Sequence, residues 1–200
     1  MPIELDAITA IKAFVSGEMP TSEFEKALYR NPAIETLLAQ EKAPRYSQTG
    51  HTLFHYLIAL HYDDPGDVLT AHGALQDFLE NAGVAVVPSK DPSKLHQLLL
   101  SAQPKWLNAD MTYLSSLLAS APELPGPALK TWLRSRILER FRYASRPPRW
   151  IQAPNWPMGK EGPMTFLGQV AVENYFHDTA AVYVFHDATT GECTSIVQMF

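Results

Sequence analysis

The feature that most constrains this chain is a change of hydrophobic period near Arg146-Pro147-Pro148. Before it, apolar residues recur every three or four positions; after it, Pro, Gly and aromatic residues rise and alternating runs take over. A repeat of 3.6 lines one stripe of a helix and a repeat of two lines one face of a strand, so the two halves bury their apolar residues in different ways. The pattern predicts an α+β protein. A bundle-like helical region covers residues 1–145, and a small antiparallel β-sheet module over 146–200 packs on it.

Leu5, Ile8, Ile11 and Val15 share helical spacing, and Gly17 suits a left-handed cap after them. Ser22 with Glu25 reads as a capping box opening a second helix that buries Phe24 and Leu28. Asn31-Pro32 reads as cap and first turn of a third, with Ile34, Leu37 and Leu38 inward. Residues 52–61 are apolar on more than one side and predict a central helix. Asp63-Asp64-Pro65 starts the next, which runs to Asn81 with Gly83 beyond it. Val84-Ala85-Val86-Val87 fits either a short strand or an apolar connector. Asp91-Pro92 and Asp110 open two further helices, and a last long one runs over 128–143 with Leu129, Trp132, Leu133, Ile137 and Phe141 inward. In the β-rich part, 165–172, 180–185 and 194–199 read as strands. Asp187 to Gly191 forms the connection of a hairpin between the last two.

With 200 residues and 46% hydrophobic composition, the chain has enough apolar side chains for a packed core without covalent staples. Cys193 is the single cysteine, which excludes an internal disulfide and a cysteine zinc site and fits a reducing compartment. The opening, MPIELDAITAIKAF, has acids before its first lysine and no basic leader, so it reads as a first helix. No stretch approaches the ~20 apolar residues that span a bilayer. These features predict a cytoplasmic protein without a membrane partner.

The net charge of −5 is unevenly spread. Residues 1–129 hold 15 acids against 8 basic residues, whereas 130–149 hold 7 basic residues and one acid. Nucleic-acid binding needs a broad cationic field, so the balance argues against it and toward a basic protein partner. The stripe itself, including Lys130, Arg134, Arg136, Arg140 and Arg149, fits either a phosphate-binding surface or a solvated helix face.

Several side chains carry chemistry that a catalytic or metal site would use. His51 and His55 are four apart on the predicted helix, with His61 nearby, a spacing that zinc ligands use, but Thr52 stands where a zincin glutamate would. Polar caps on a buried helix explain them as well, and no metal or other cofactor is expected. His177-Asp178 and His186-Asp187 flank one predicted strand as potential base-and-orienter pairs. No nucleophile elbow or phosphate loop precedes either pair, so turn chemistry is the preferred reading and no catalytic residue is assigned. Trp150 and Trp156, set among prolines, suit either a core or an interface, and Gln169, if inward, must have its amide hydrogen-bonded.

Two stretches carry a likeness to known families. Phe14-Val15-Ser16-Gly17-Glu18, Phe24-Glu25, Leu28-Tyr29, Asn31-Pro32, Ile34-Glu35 and Leu37-Leu38 resemble the opening helices of bacterial immunity proteins of polymorphic, contact-dependent and type VI toxin systems. The resemblance implies a non-enzymatic protein that binds and neutralises a cognate toxin in the cytoplasm of the producing cell. On charge, Asp63, Asp64, Asp67 and Asp77 are its candidate partner-binding residues, joined by Trp150 and Trp156. Trp156-Pro157, Gly162-Pro163, Phe166-Leu167-Gly168-Gln169 and Val182 through Asp187 resemble the strands of YwqG-like bacterial proteins. That likeness covers the last quarter of the chain and implies, as the alternative, a cytoplasmic binding module for a small molecule or another protein.

Overall fold

A computed structural model of the chain describes every residue except 1, 46, 48–50 and 173–178, and in the first helix it places side chains from Asp6 onward. Eight helices precede five strands among the described residues, an α+β arrangement. The helices are α1 (Pro2–Ser16), α2 (Thr21–Arg30), α3 (Pro32–Leu38), α4 (Leu53–Ile58), α5 (Pro65–Asn81), α6 (Asp91–Ala102), α7 (Met111–Leu118) and α8 (Gly126–Arg140). The strands are β1 (Met158–Gly159), β2 (Gly162–Pro163), β3 (Thr165–Ala171), β4 (Ala180–His186) and β5 (Cys193–Met199).

Side-chain caps start four of the eight described helices, α3, α4, α5 and α7. Asn31 accepts from Ala33 N at 3.0 Å with Pro32 in the first turn, and Asp110 accepts from Tyr113 N at 2.8 Å. Each satisfies a backbone donor that the first turn leaves without a partner. The capping box expected at Ser22 and Glu25 does not form. Helix α2 instead begins after Pro20, whose φ of −61° already suits the entry and whose carbonyl takes the first amides. Gly17 has φ +83°, and a Cβ there would lie 2.9 Å from Ser89 Cβ, so both backbone and space require glycine. Residues 84–87 form a connector rather than a strand. Helix α8 stops earlier than expected because Phe141 leaves helical geometry, at ψ 82°, and turns its ring into the core.

The chain divides into two compact units at Gln97/Leu98, within α6, rather than at residue 146. In the N-terminal unit α1 packs against α2, α3 and α5. Phe14 stacks on Phe24 with centroids 4.0 Å apart, and Ile11, Leu28, Ile34, Leu38, Leu57 and Leu75 close around them. The role expected for Leu5 lies outside the described side chains.

The C-terminal unit joins α7 and α8 to the sheet. Strands β3, β4 and β5 lie in that order, all antiparallel, and β1 and β2 form a separate two-stranded hairpin. Trp156 explains why the division does not follow the change of period: its ring meets Phe141 after α8 at 5.6 Å and Phe185 on β4 at 5.3 Å, and Tyr113 on α7 meets Phe141 at 5.8 Å. Period reports how each element buries its own face, whereas unit membership depends on which faces meet.

Candidate functional site

The acids proposed for partner binding cluster around α5, where the structure separates their tasks. Asp64 caps the helix, accepting from Gly66 N at 2.6 Å and Asp67 N at 3.1 Å. Asp67 accepts from His61 N at 2.8 Å and faces the His61 ring at 3.5 Å. Both are engaged in the turn that starts the helix. Asp63 and Asp77 are exposed and make no ion pair among the described residues.

Asp77 also stands on the rim of a cavity of about 510 Å³. Antiparallel bonding builds one wall: Lys42 pairs with Thr52, Ala43 N donates to His51 O at 3.2 Å, and Leu53 N donates to Glu41 O at 2.9 Å. This lays residues 41–45 beside the start of α4, so Glu41, Lys42 and Arg45 join Asp77 at the rim. Leu53, Ala74 and Phe78 form an apolar floor. An apolar floor inside a charged rim can receive one large side chain from a partner while shielding it from water. Apart from Asp77, sequence reading misses these residues as a site, because the pairing of residues 41–43 with 51–53 and the approach of that wall to α5 are tertiary features.

The two tryptophans are not offered to a partner in this way. Trp156 is 7% exposed and donates Nε1–H to Met164 O at 2.8 Å. Trp150 is half-buried, stacks on Tyr183 at 4.6 Å and donates to Trp106 O at 2.8 Å. Their apolar faces and their single donors are both engaged inside the C-terminal unit, so of the core and interface roles that suit them the structure displays the core one.

Around Trp150, three inward-facing side chains clamp residues 149–153 onto the sheet. Gln169 on β3 accepts from Arg149 N at 2.7 Å and donates to Arg149 O at 3.2 Å. Tyr183 on β4 donates to Arg149 O and accepts from Ile151 N, both at 2.9 Å. Gln198 on β5 accepts from Ile151 N and Gln152 N and donates to Ala153 O. The requirement on an inward Gln169 is thus met, and Tyr183 and Gln198 share the task. Burial moves the Tyr183 hydroxyl above its ordinary range.

The histidines do not assemble as the spacing suggests. Helix α4 begins at Leu53 with Thr52 as its cap, so His51 precedes the helix and does not share a helical face with His55. His55 Nδ1 lies 2.8 Å from Thr52 Oγ1. No group of three potential metal ligands occurs among the described residues. His177 and Asp178 lie outside the described residues.

Asp187 does not orient His186. Its carboxylate accepts from Thr189 N at 2.8 Å, Lys160 N at 3.1 Å and Thr190 N at 3.4 Å, and these amides, Thr189 first, hold its pKa below the ordinary value. It therefore organises the β4–β5 turn and ties the β1–β2 hairpin to it. Cys193 is exposed at the start of β5. Comparison with protein families, with curated proteins and with solved structures gives no match for this chain.

Proposed function

We infer that the chain is an immunity protein that binds a cognate bacterial toxin directly and neutralises it inside the producing cell. The observation that carries the reading is the cavity beside α5, with its apolar floor and Asp77 on its rim, on a unit whose exposed carboxylates outnumber its paired ones. Glu18, Glu23, Glu35 and Asp63 are exposed there without an ion-pair partner among the described residues. Such a surface complements a basic partner and speeds encounter with it, while a floor such as Leu53 and Phe78 supplies the desolvated centre on which affinity concentrates.

The helices that carry the family likeness support the same reading. Their Phe14, Phe24, Leu28, Ile34 and Leu38 are buried as one core, and Gly17 and Asn31-Pro32 act as the stops between helices. Inhibition by binding requires a rigid surface rather than a reacting group, and this packing supplies rigidity.

Co-expression with the product of the neighbouring reading frame, the candidate toxin, tests the proposal. Growth rescue together with co-purification is the expected result. Failure of both with a correctly folded chain refutes it.

A further inference from the structure

Arg140 ends α8, Arg142 follows it, and both line a cavity of about 240 Å³ within the C-terminal unit. Its remaining walls include Glu161 between β1 and β2, Thr165 at the start of β3, and Asp187 and Thr189 after β4. The charges in this cavity are not matched to one another. Asp187 is occupied by three backbone amides, and Glu139 is held by Arg136 Nη1 at 2.7 Å. Among the described residues the Glu161 carboxylate has one hydrogen bond, accepted from Thr189 Oγ1 at 3.5 Å.

The guanidinium groups, by contrast, keep free donors. Arg142 donates Nε–H to Glu139 O at 3.0 Å, which leaves its terminal nitrogens without a partner among the described residues. The Arg140 guanidinium makes no hydrogen bond or ion pair among them, and its field reaches the Tyr113 hydroxyl. A guanidinium carries a planar fork of donors that matches two oxygens of a carboxylate or phosphate. The Thr165 hydroxyl at the same opening adds a donor that rotates to suit.

The geometry points to an oxyanion-binding site in which Arg140 and Arg142, aided by Thr165, receive one phosphate or carboxylate group. The cavity is smaller than the clefts of ~300–1,000 Å³ that enclose drug-sized ligands, so it takes a single such group, free or at the tip of a larger molecule. Asp187 shapes the wall by holding the turn and the hairpin together. Glu161 opposes the bound anion and limits its affinity. The site lies in the C-terminal unit and does not rest on the toxin-binding reading.

Amide NMR of the whole chain, following Gly162 and Thr189, provides the test. The probes are inorganic phosphate and an aspartate-rich peptide, each compared with sodium chloride at equal ionic strength. Saturable shifts are expected, with a dissociation constant on the order of 1 mM for a single exposed oxyanion site. Arg140→Gln combined with Arg142→Gln should weaken binding at least about tenfold through loss of charge-assisted bonds, and Glu161→Gln should tighten it about threefold by removing repulsion. Should the double glutamine variant fail to fold, Arg140→Lys with Arg142→Lys keeps the charge, loses the fork and should bind at an intermediate level. Saturation by phosphate supports the site as a receptor for a free oxyanion; saturation by the peptide alone supports it as a receptor for a partner's acidic side chain. Shifts that merely follow ionic strength, or that survive in the double glutamine variant, overturn the proposal.

Discussion

His72 and Asp187 are both buried, and their surroundings favour opposite charge states. His72 is 8% exposed, lies tilted against Phe14 with ring centroids 4.1 Å apart and has no partner for Nδ1 among the described residues, so burial lowers its pKa from 6.5. The unfolded chain takes up that proton at a higher pH than the folded chain does. The contribution of His72 to stability is therefore complete above about pH 6.5 and lost as pH falls below it. Asp187 has a pKa lowered from 3.8 by its backbone donors, so its contribution persists through that range and disappears only at pH values near and below 3.8. The urea midpoint should fall between about pH 6.5 and 5, and His72→Leu should flatten that fall without altering the decline at lower pH. An unchanged slope in the leucine variant would refute the assignment. The same carboxylate restricts Gly159: an added Cβ would sit 2.8 Å from Asp187 Cγ, which three amides hold in place. Gly159→Ala should cost about 1–3 kcal/mol, as overpacking does, measured by denaturant unfolding.

Elements are held together here by polar side chains as much as by apolar faces. Among the described residues Gln198 alone satisfies Gln152 N and Ala153 O, while Ile151 N has Tyr183 as a second acceptor. Removing the amide in Gln198→Ala leaves those groups unpaired, at a cost of about 1–3 kcal/mol. Tryptophan fluorescence will report it, since Trp106, Trp132, Trp150 and Trp156 all lie in the C-terminal unit. The basic stripe also divides by element. Arg134 Nη1 donates to Ala102 O and Gln103 O at 3.3 Å, taking carbonyls that the end of α6 leaves open, whereas Arg140 has no such bond among the described residues. Arg134→Ala should therefore lower stability by about 1 kcal/mol and Arg140→Ala by no more than about 0.5 in the same melt. These cases separate what sequence reveals from what it does not. Caps such as Asn31, Asp64 and Asp110 act on amides two or three residues away, so they are visible in a single line of sequence. The clamp formed by Gln169, Tyr183 and Gln198 spans up to 47 residues, and the wall at Glu41 and Lys42 depends on a bridge to Thr52; neither leaves a local pattern. Trp150 and Trp156 have residue types equally suited to core and interface, and only their partners decide between the two.

Across the whole molecule, charge follows the two units. Residues 1–97 carry 13 acids against 7 Lys and Arg, whereas residues 98–200 carry 8 acids against 9. A basic toxin would accordingly be drawn to the N-terminal unit, and added salt should slow capture because screening shortens the reach of that field. The acids of α5 allow recognition to be separated from stability. Asp64 caps the helix, so Asp64→Ala should lower the melting temperature with a cost of about 1 kcal/mol and disturb capture only through unfolding. Asp77 and Glu41 stand on the cavity rim and have no ion-pair partner among the described residues. Asp77→Lys combined with Glu41→Lys should leave the helical circular dichroism and melting temperature nearly unchanged. On the proposed toxin-binding reading it should slow association with a basic toxin about tenfold at low ionic strength and reduce the salt dependence of the rate. Phe78→Ala removes part of the floor and should act mainly on dissociation, together with a core cost of about 3 kcal/mol. Stopped-flow association at two salt concentrations resolves these effects. If the charge-reversed pair captures toxin at the wild-type rate and with the wild-type salt slope, the rim of this cavity is not the surface that meets it.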